Sequence, residues 1–420
     1  MSNSSAARPA APQTPKKINR LELPDRARRG VSARQADLEL IAKAPPGYLD
    51  TTHFDTVRFP PPDWAVDCFS SAASDGALAY TAYRGNDEVL AAVAERVSAF
   101  LDIDLNFQEN IILTPGTQAG LFCALSSLVE TDDRVALVDP EYLFSDRILG
   151  FLDADIGHVP LQLGEDGPQL DFDALENEFA ERGARLLVFS HPNNPTGAIY
   201  PAADIERIAK LAIKYGVTVL VDELYARLIH GDGVFPHLAA EPGMKERTVT
   251  LLGPSKTESL SGYRLGVVVA PKELIARMEN VLSITSLRAP AYAQHVLLPW
   301  MRDDHKWLAE RQKAFTALRE STATSLRRLT WIGLFPQQGT AYLWVDVSAL
   351  GLPGSAVAEA LLTRAAVLVS PGYQFGPHSS GHFRVCYARD ESAWASALDR
   401  MVEVLNELAI QAGLPDSLQQ

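Results

Sequence analysis

Cysteine and methionine are scarce in this chain, at 3 and 5 of 420 residues. Cys68, Cys123 and Cys386 are scattered, odd in number and without Cys-x-x-Cys spacing. That excludes a disulfide framework or a cysteine zinc site as the organising feature, and makes a reducing cytoplasm the expected setting. Long hydrophobic runs are missing too. Stretches such as Leu121–Leu125 and Leu265–Ala270 fall far short of the ~20 apolar residues a membrane span needs. Met1 to Thr14 is Ser/Ala/Pro-rich and lacks the apolar centre of a signal peptide. Basic residues are the third shortage, 38 against 52 acidic for a net charge of −14. This disfavours nucleic acid as a partner, although a local positive pocket on an acidic protein still holds a small anion. With 47% hydrophobic residues, the chain is too apolar to be disordered throughout. Its length accommodates two or three domains with cores that need no metal or disulfide.

The one basic concentration is residues 1–34, with eight basic residues and two acidic, Glu22 and Asp25. Such an arm is expected to be a flexible, solvated tail. No repeat of 20–50 residues is apparent. From about residue 76 two patterns alternate. Asn86 is placed to cap a helix in which Val89, Leu90, Val93, Val97, Phe100 and Leu101 recur at helical spacing. Ala203–Tyr215 shows the same periodicity through Ile205, Ile208, Leu211 and Ala212. Between such segments lie short Val/Leu-rich runs: Ile111–Leu113, Val135–Val138, Leu186–Phe189, Val217–Val221, Val249–Leu252 and Leu265–Ala270. Runs of strand length with so little polar alternation are strands buried on both faces. The alternation predicts an α/β fold, a mostly parallel sheet with helices on both faces and ligands beyond the carboxyl ends of its strands.

Polar residues gather after four of those ends. Ile111–Leu113 is followed by Thr114-Pro115-Gly116-Thr117-Gln118-Ala119-Gly120 and an apolar helix, so free N–H groups and a dipole end are available to a phosphate. After Leu186–Phe189 comes His191-Pro192-Asn193-Asn194-Pro195-Thr196-Gly197, and after Val217–Val221 comes Asp222-Glu223-Leu224-Tyr225. Val249–Leu252 leads into Gly253-Pro254-Ser255-Lys256 and, eight residues beyond the lysine, Arg264. Singly, these are compatible with an ordinary helix start, a tight turn, a cap and a surface lysine. Together they are anion donors, an amide, an acid, a phenol and a lysine converging on one sheet edge.

The combination resembles the fold-type I pyridoxal-phosphate enzymes of the aspartate aminotransferase (class I/II) superfamily, over roughly residues 45–410. The Asn-Pro-Thr-Gly run, Asp-x-x-Tyr and Ser-Lys with its later arginine occur in the family's order. The resemblance implies that Lys256 forms the Schiff base with pyridoxal 5'-phosphate and then carries the proton, with Asp222 paired to the pyridine nitrogen. It implies that Asn194 and Tyr225 hydrogen-bond the phenolic oxygen, and that Gly116, Thr117, Gln118, Ser255 and Arg264 belong to the cofactor site. The planar fork of Arg264 suits a phosphate. Tyr142 matches the aromatic that stacks on the cofactor ring. Tyr80, with Tyr83 as its competitor, matches a tyrosine reaching the phosphate of a partner subunit. Arg384, in Phe383-Arg384-Val385-Cys386-Tyr387, matches the clamp on the substrate α-carboxylate; Asn194 joins it on the substrate side. No metal is implied.

The pattern also departs from the family. Gly253 replaces a common phosphate-binding serine, residues 49–56 lack the glycine of a substrate loop, and Glu258 stands where an aromatic is frequent. Three acids, Glu258, Glu141 and Asp55, lie in segments expected to approach the pocket. They either face a cationic substrate side chain, or face solvent and cap loops. The expected organisation is a tail over 1–34, a small α+β domain from 35–75 and 298–420, and a large cofactor domain over 76–297. The expected function is a cytoplasmic, homodimeric aminotransferase moving an α-amino group between an amino acid and a 2-oxo acid. The first rival is a pyridoxal-phosphate enzyme catalysing an elimination, cyclisation or oxidation. The second is a ligand-sensing regulator, for which 34 tail residues are too few to supply a DNA-binding module.

Overall fold

The computed structural model describes residues 16–21, 38–76, 80–164, 167–231, 233–302 and 304–419. Apart from 16–21, the expected tail lies outside the described residues. The first strand is β1 (Leu49–Asp50). An eight-stranded sheet follows, built from β2 (Ile111–Pro115), β3 (Arg134–Asp139), β4 (Asp155–Gly164), β5 (Gly167–Leu170), β6 (Leu186–Ser190), β7 (Thr218–Asp222), β8 (Thr248–Leu252) and β9 (Leu265–Val269). The spatial order is β2-β9-β8-β7-β6-β3-β4-β5. Strands β8, β7, β6, β3 and β4 pair in parallel, while β9 is antiparallel to both its neighbours and β5 is antiparallel to β4.

The continuous apolar runs have a direct cause. Successive residues of a strand point to opposite faces, and here each face carries its own core. Val135 and Leu137 of β3 pack with Leu121, Leu125, Ile148, Ile275 and Met278. Ala136 and Val138, between and beyond them, pack with Leu175, Phe179, Ile205 and Ile208 on the other face. Helices Thr117–Leu128, Leu143–Phe151 and Lys272–Thr285 therefore cover one side, and Phe172–Ala180 and Ala202–Tyr215 the other. The predicted cap also holds: Asn86 accepts from the N–H groups of Glu88 and Val89 at the start of helix Asp87–Leu101. Strands β4 and β5 escaped the apolar-run reading. In β4 buried positions alternate with partly exposed ones, and Gly157 and Pro160 interrupt the hydrophobic pattern.

A second sheet is antiparallel, in the order β10 (Gly333–Leu334), β11 (Tyr342–Asp346), β14 (His382–Cys386) and β13 (Ser370–Pro371). Beside it β1 pairs in parallel with β12 (Val367–Leu368), which joins the early chain to the late chain. Helices His305–Leu326, Gly354–Ala365 and Glu391–Gln411 share its core, with Phe315, Leu361 and Trp394 buried among Leu343, Val345 and Val385. Among the described residues no helix is long and apolar enough to cross a membrane.

Candidate active site

Because β2, β3, β6, β7 and β8 run the same way, the segments that follow them emerge along one edge of the sheet. Strand β9 runs the opposite way, so Arg264, just before it, lies on that edge too. A cavity of about 260 Å³ there is lined by Thr117, Gln118, Tyr142, Asn194, Asp222, Tyr225, Ser255, Lys256, Arg264 and Arg384. These are the residues singled out in the sequence, apart from Gly116 and Tyr80. Gly116 lies immediately behind the Arg264 guanidinium. Tyr80 is 69% exposed and is not among the lining residues of its own chain's cavity.

One end of the cavity is built for an anion. Helix Thr117–Leu128 begins after Gly116 with no side-chain cap, which leaves its first N–H groups and its dipole to a ligand. Gly116 has φ +84, and a Cβ there would stand 2.3 Å from Arg264 Nη2. Glycine is therefore required twice, for the backbone conformation and for the room. Arg264 donates to the Ser261 carbonyl at 2.9 Å. Thr117 and Ser255 donate to carbonyls only at 3.4 Å, the outer limit of hydrogen bonding, so both hydroxyls can turn to a ligand. Gly253 also has a local reason. A Cβ at that position would meet Thr117 Oγ1 at 3.0 Å and the Leu265 carbonyl at 3.2 Å, so a side chain there would press on the cradle.

The other end is aromatic and charged. Asp222 shows part of its surface to the cavity but is enclosed deep in the protein, and this burial pushes its carboxyl up to about 6; the Leu224 N–H and the nearby Lys256 pull the other way. Arg384 is 5% exposed. It donates through Nη1 to Asn194 Oδ1 at 2.7 Å, and through Nη2 to the Thr52 carbonyl at 2.9 Å and Ser370 Oγ at 3.4 Å. Its guanidinium lies 4.0 Å from the Tyr342 ring centroid and 4.8 Å from that of Phe375. Tyr225 donates to the Tyr342 hydroxyl at 3.1 Å, and burial holds its own phenol far above the ordinary range, so it stays a neutral donor. Tyr142 donates to Gln118 Oε1 at 3.0 Å. Lys256 Nζ lies 5.6 Å from the Phe54 ring centroid.

Sequence reading missed Tyr342 and Thr52, both lining residues. Tyr342 sits in a small-sheet strand whose apolar pattern announces packing only; Thr52 lies in the flagged 49–56 segment, where nothing separated it from its neighbours. The three acids need correction, because none lines this cavity. Asp55 caps its own turn, accepting from the N–H groups of Val57 and Arg58. Glu141 is buried and accepts from the N–H groups of Tyr142 and Ser190 and from Asn193 Nδ2. Glu258 is buried against Arg227. Unpaired burial of a carboxylate is costly, and these acids meet protein donors instead of a substrate cation. Among the described residues no cluster of His, Cys, Asp or Glu is suited to a metal.

An anion cradle at a helix start, an enclosed carboxylate suited to a protonated ring nitrogen, and a lysine in the same cavity wall fit a phosphorylated pyridine aldehyde. Fold and site together define the fold-type I pyridoxal-phosphate enzymes. Comparison with known proteins narrows the class. The model of the family "Aminotransferase class I and II" matches residues 51–401, and the chain belongs to that family. It is 29% identical to the aspartate aminotransferase of Musicola paradisiaca over 83% of this chain and 87% of the relative. It is 28% identical to aromatic-amino-acid aminotransferase 2 of Thermococcus litoralis, over 83% and 90% respectively. The crystal structure of an aspartate aminotransferase from Rhodobacter sphaeroides superposes with a TM-score of 0.84 at 34% identity, covering 89% of this chain and 99% of that one. The protein is a pyridoxal-phosphate-dependent transaminase acting on amino acids and 2-oxo acids.

Proposed function

We propose that Lys256 is the amine that bonds the cofactor aldehyde and then moves the proton at the substrate α-carbon, with Asp222 and Arg384 fixing the two ends of the reacting assembly. The observation that carries this reading is that Lys256 lines one cavity together with Arg264, Asp222, Asn194 and Arg384. The bound cofactor supplies an electron sink that stabilises negative charge developing at the α-carbon. Gly116, Thr117, Gln118, Ser255 and Arg264 hold the phosphate end. Asp222 keeps a ring nitrogen protonated, and that cation in turn relieves the enclosed carboxylate. Tyr142 covers the ring face, and Tyr225 and Asn194 offer donors to its oxygen. Arg384 binds the α-carboxylate, with Asn194 and the Thr52 carbonyl orienting its fork.

The same reading assigns a large domain to 76–297 and a small domain to 35–75 with 298–420. The separate sheets over 111–269 and 333–386 support it, as does the β1–β12 pairing. It also assigns a cytoplasmic homodimer in which Tyr80 reaches the partner's phosphate. Exposed Tyr80 and Tyr83, each stacked on Arg288 at 4.8 and 5.0 Å, support that assignment. The test is borohydride reduction of the holoenzyme followed by peptide mapping. The label is expected on Lys256, and Lys256→Ala should remove the cofactor's visible band while leaving the fold intact. Label on another lysine would overturn the assignment.

A further inference from the structure

The loop that carries Lys256 poses a problem the site does not solve. Residues 251–260 are all buried except Lys256 itself, which is partly exposed, yet 253–260 form no helix or strand. An irregular buried stretch must find partners for its backbone outside regular structure. Ser259 adds a left-handed φ of +57, a conformation that costs a non-glycine residue roughly 1 kcal/mol. Two of its N–H groups pair within the loop, Ser259 to the Lys256 carbonyl at 3.3 Å and Leu260 to the Pro254 carbonyl at 3.2 Å, and two arginines remote in sequence tie it to the rest of the protein. Arg311, on helix His305–Leu326 and 7% exposed, donates through Nη1 to the Thr257 carbonyl at 2.7 Å and to Ser259 Oγ at 2.8 Å. Its Nη2 donates to the Pro60 carbonyl at 2.7 Å, and its guanidinium lies 4.3 Å from the Trp307 ring centroid. Arg227 binds Glu258 through Nη1 and Asp304 through Nη2, the latter at 2.5 Å. Glu258 and Asp304 are 0% and 6% exposed.

Two acids face two arginines in this cluster. They also fasten together pieces of chain that each furnish the cavity wall. Arg227 follows Asp222 and Tyr225 on one turn. Glu258 and two Arg311 acceptors, the Thr257 carbonyl and Ser259 Oγ, directly follow Lys256. The Pro60 carbonyl ends the segment that begins with Thr52 and Phe54. Yet Arg227, Glu258, Asp304 and Arg311 are absent from the cavity lining. Asp304 and Arg311 border a separate, more open cavity beside Pro60 and Trp307, so toward the Lys256 cavity the four residues act through the groups they hold.

We infer that Arg311, Arg227, Glu258 and Asp304 form a positioning cluster that fixes the direction of Lys256 relative to Asp222, to Thr52 and to the Phe54 ring beneath its Nζ. Supporting this, burial drives the Glu258 carboxyl up to about 7 against the pull of Arg227, and burial draws Arg311 down to about 10, leaving it charged at neutral pH. Removing one member leaves the rest buried and unbalanced, which is costly. A bidentate guanidinium fork has no equivalent in lysine. The inference rests on Lys256 being the reactive lysine.

The test compares wild type with Glu258→Gln, Arg311→Lys and Arg311→Met, each as holoenzyme and after cofactor removal. In the holoenzymes, kcat is expected to fall at least tenfold in Glu258→Gln and Arg311→Met, with KM for the amino acid changed less than threefold. Arg311→Lys should restore only part of the loss. In the cofactor-free proteins, the rate at which pyridoxal and borohydride label the Lys256 peptide should fall at least fivefold in the same order, at a temperature well below each melting point. A lower melting temperature with unchanged kcat and unchanged labelling of the folded protein would overturn the inference, leaving the cluster a stabilising one. Label on a lysine other than Lys256 in wild type would instead sink the assignment of the reactive lysine. Glu258→Gln, which preserves volume, decides the matter should Arg311→Met not fold.

Discussion

Replacing Arg384 by alanine tests the substrate side of the site most sharply. The arginine is buried between two aromatic rings, and its Nη groups are held by Asn194 and the Thr52 carbonyl at 2.7 and 2.9 Å. A guanidinium held this way meets a carboxylate with its orientation already fixed. A charge-assisted hydrogen bond contributes about 1.5–3 kcal/mol. Loss of a two-point contact should therefore remove about 3 kcal/mol of transition-state binding, roughly 10²-fold in kcat/KM. The truncation also strips a donor from three acceptors, Asn194 Oδ1, the Thr52 carbonyl and, at longer range, Ser370 Oγ, so stability should fall by about 1–3 kcal/mol. Cofactor content should stay near one per chain, because the Arg264 cradle is untouched. Arg384→Lys keeps the charge and loses the fork, and should recover about tenfold of the loss. The assay is single-turnover reaction of the holoenzyme with an amino acid, followed through the cofactor's visible band. If kcat/KM were unchanged in Arg384→Ala across several amino acids, Arg384 would not be the clamp.

Gly116→Ala should weaken cofactor binding by roughly tenfold or more, because the left-handed φ is strained for alanine and its Cβ drives the Arg264 fork away; titration of cofactor-free protein measures this. Burial raises the Asp222 carboxyl from 3.8 to about 6, so the folded cofactor-free protein holds this proton more tightly than the unfolded chain. That group's contribution to stability should therefore decline as pH rises from about 4 to about 6, then level off. The melting temperature of Asp222→Asn minus that of wild type should rise across that window, and a flat difference would refute the burial argument. Should Tyr80 reach a partner's phosphate, light scattering will show a dimer or a multiple of one, and Tyr80→Phe will weaken cofactor binding. A stable, fully active monomer would exclude the shared site.

The sequence by itself determined the elements whose signals are local. The runs at 135–138 and 186–189 had to be doubly covered strands, since every residue is apolar and both faces need cores; 249–252 reads the same way with Thr250 as its one polar residue. Asn86 announced its helix because a cap is a contact between neighbours in sequence. The polar residues after β2, β6, β7 and β8 were legible as one site, because parallel strands deliver their carboxyl ends to one edge whatever the details. Tertiary structure decided which way individual side chains turn where no periodicity governs them. Glu141 and Glu258 stand next to cavity residues in sequence, yet they point into the protein toward N–H groups and Arg227. Tyr342 and Thr52 carry no local mark, and they enter the cavity only because the small sheet and the β1–β12 pair dock against the large one. Arg227 and Arg311 are 84 residues apart, and only folding closes them over one loop. Backbone periodicity is a property of short segments, but the burial of a charge depends on every segment that surrounds it.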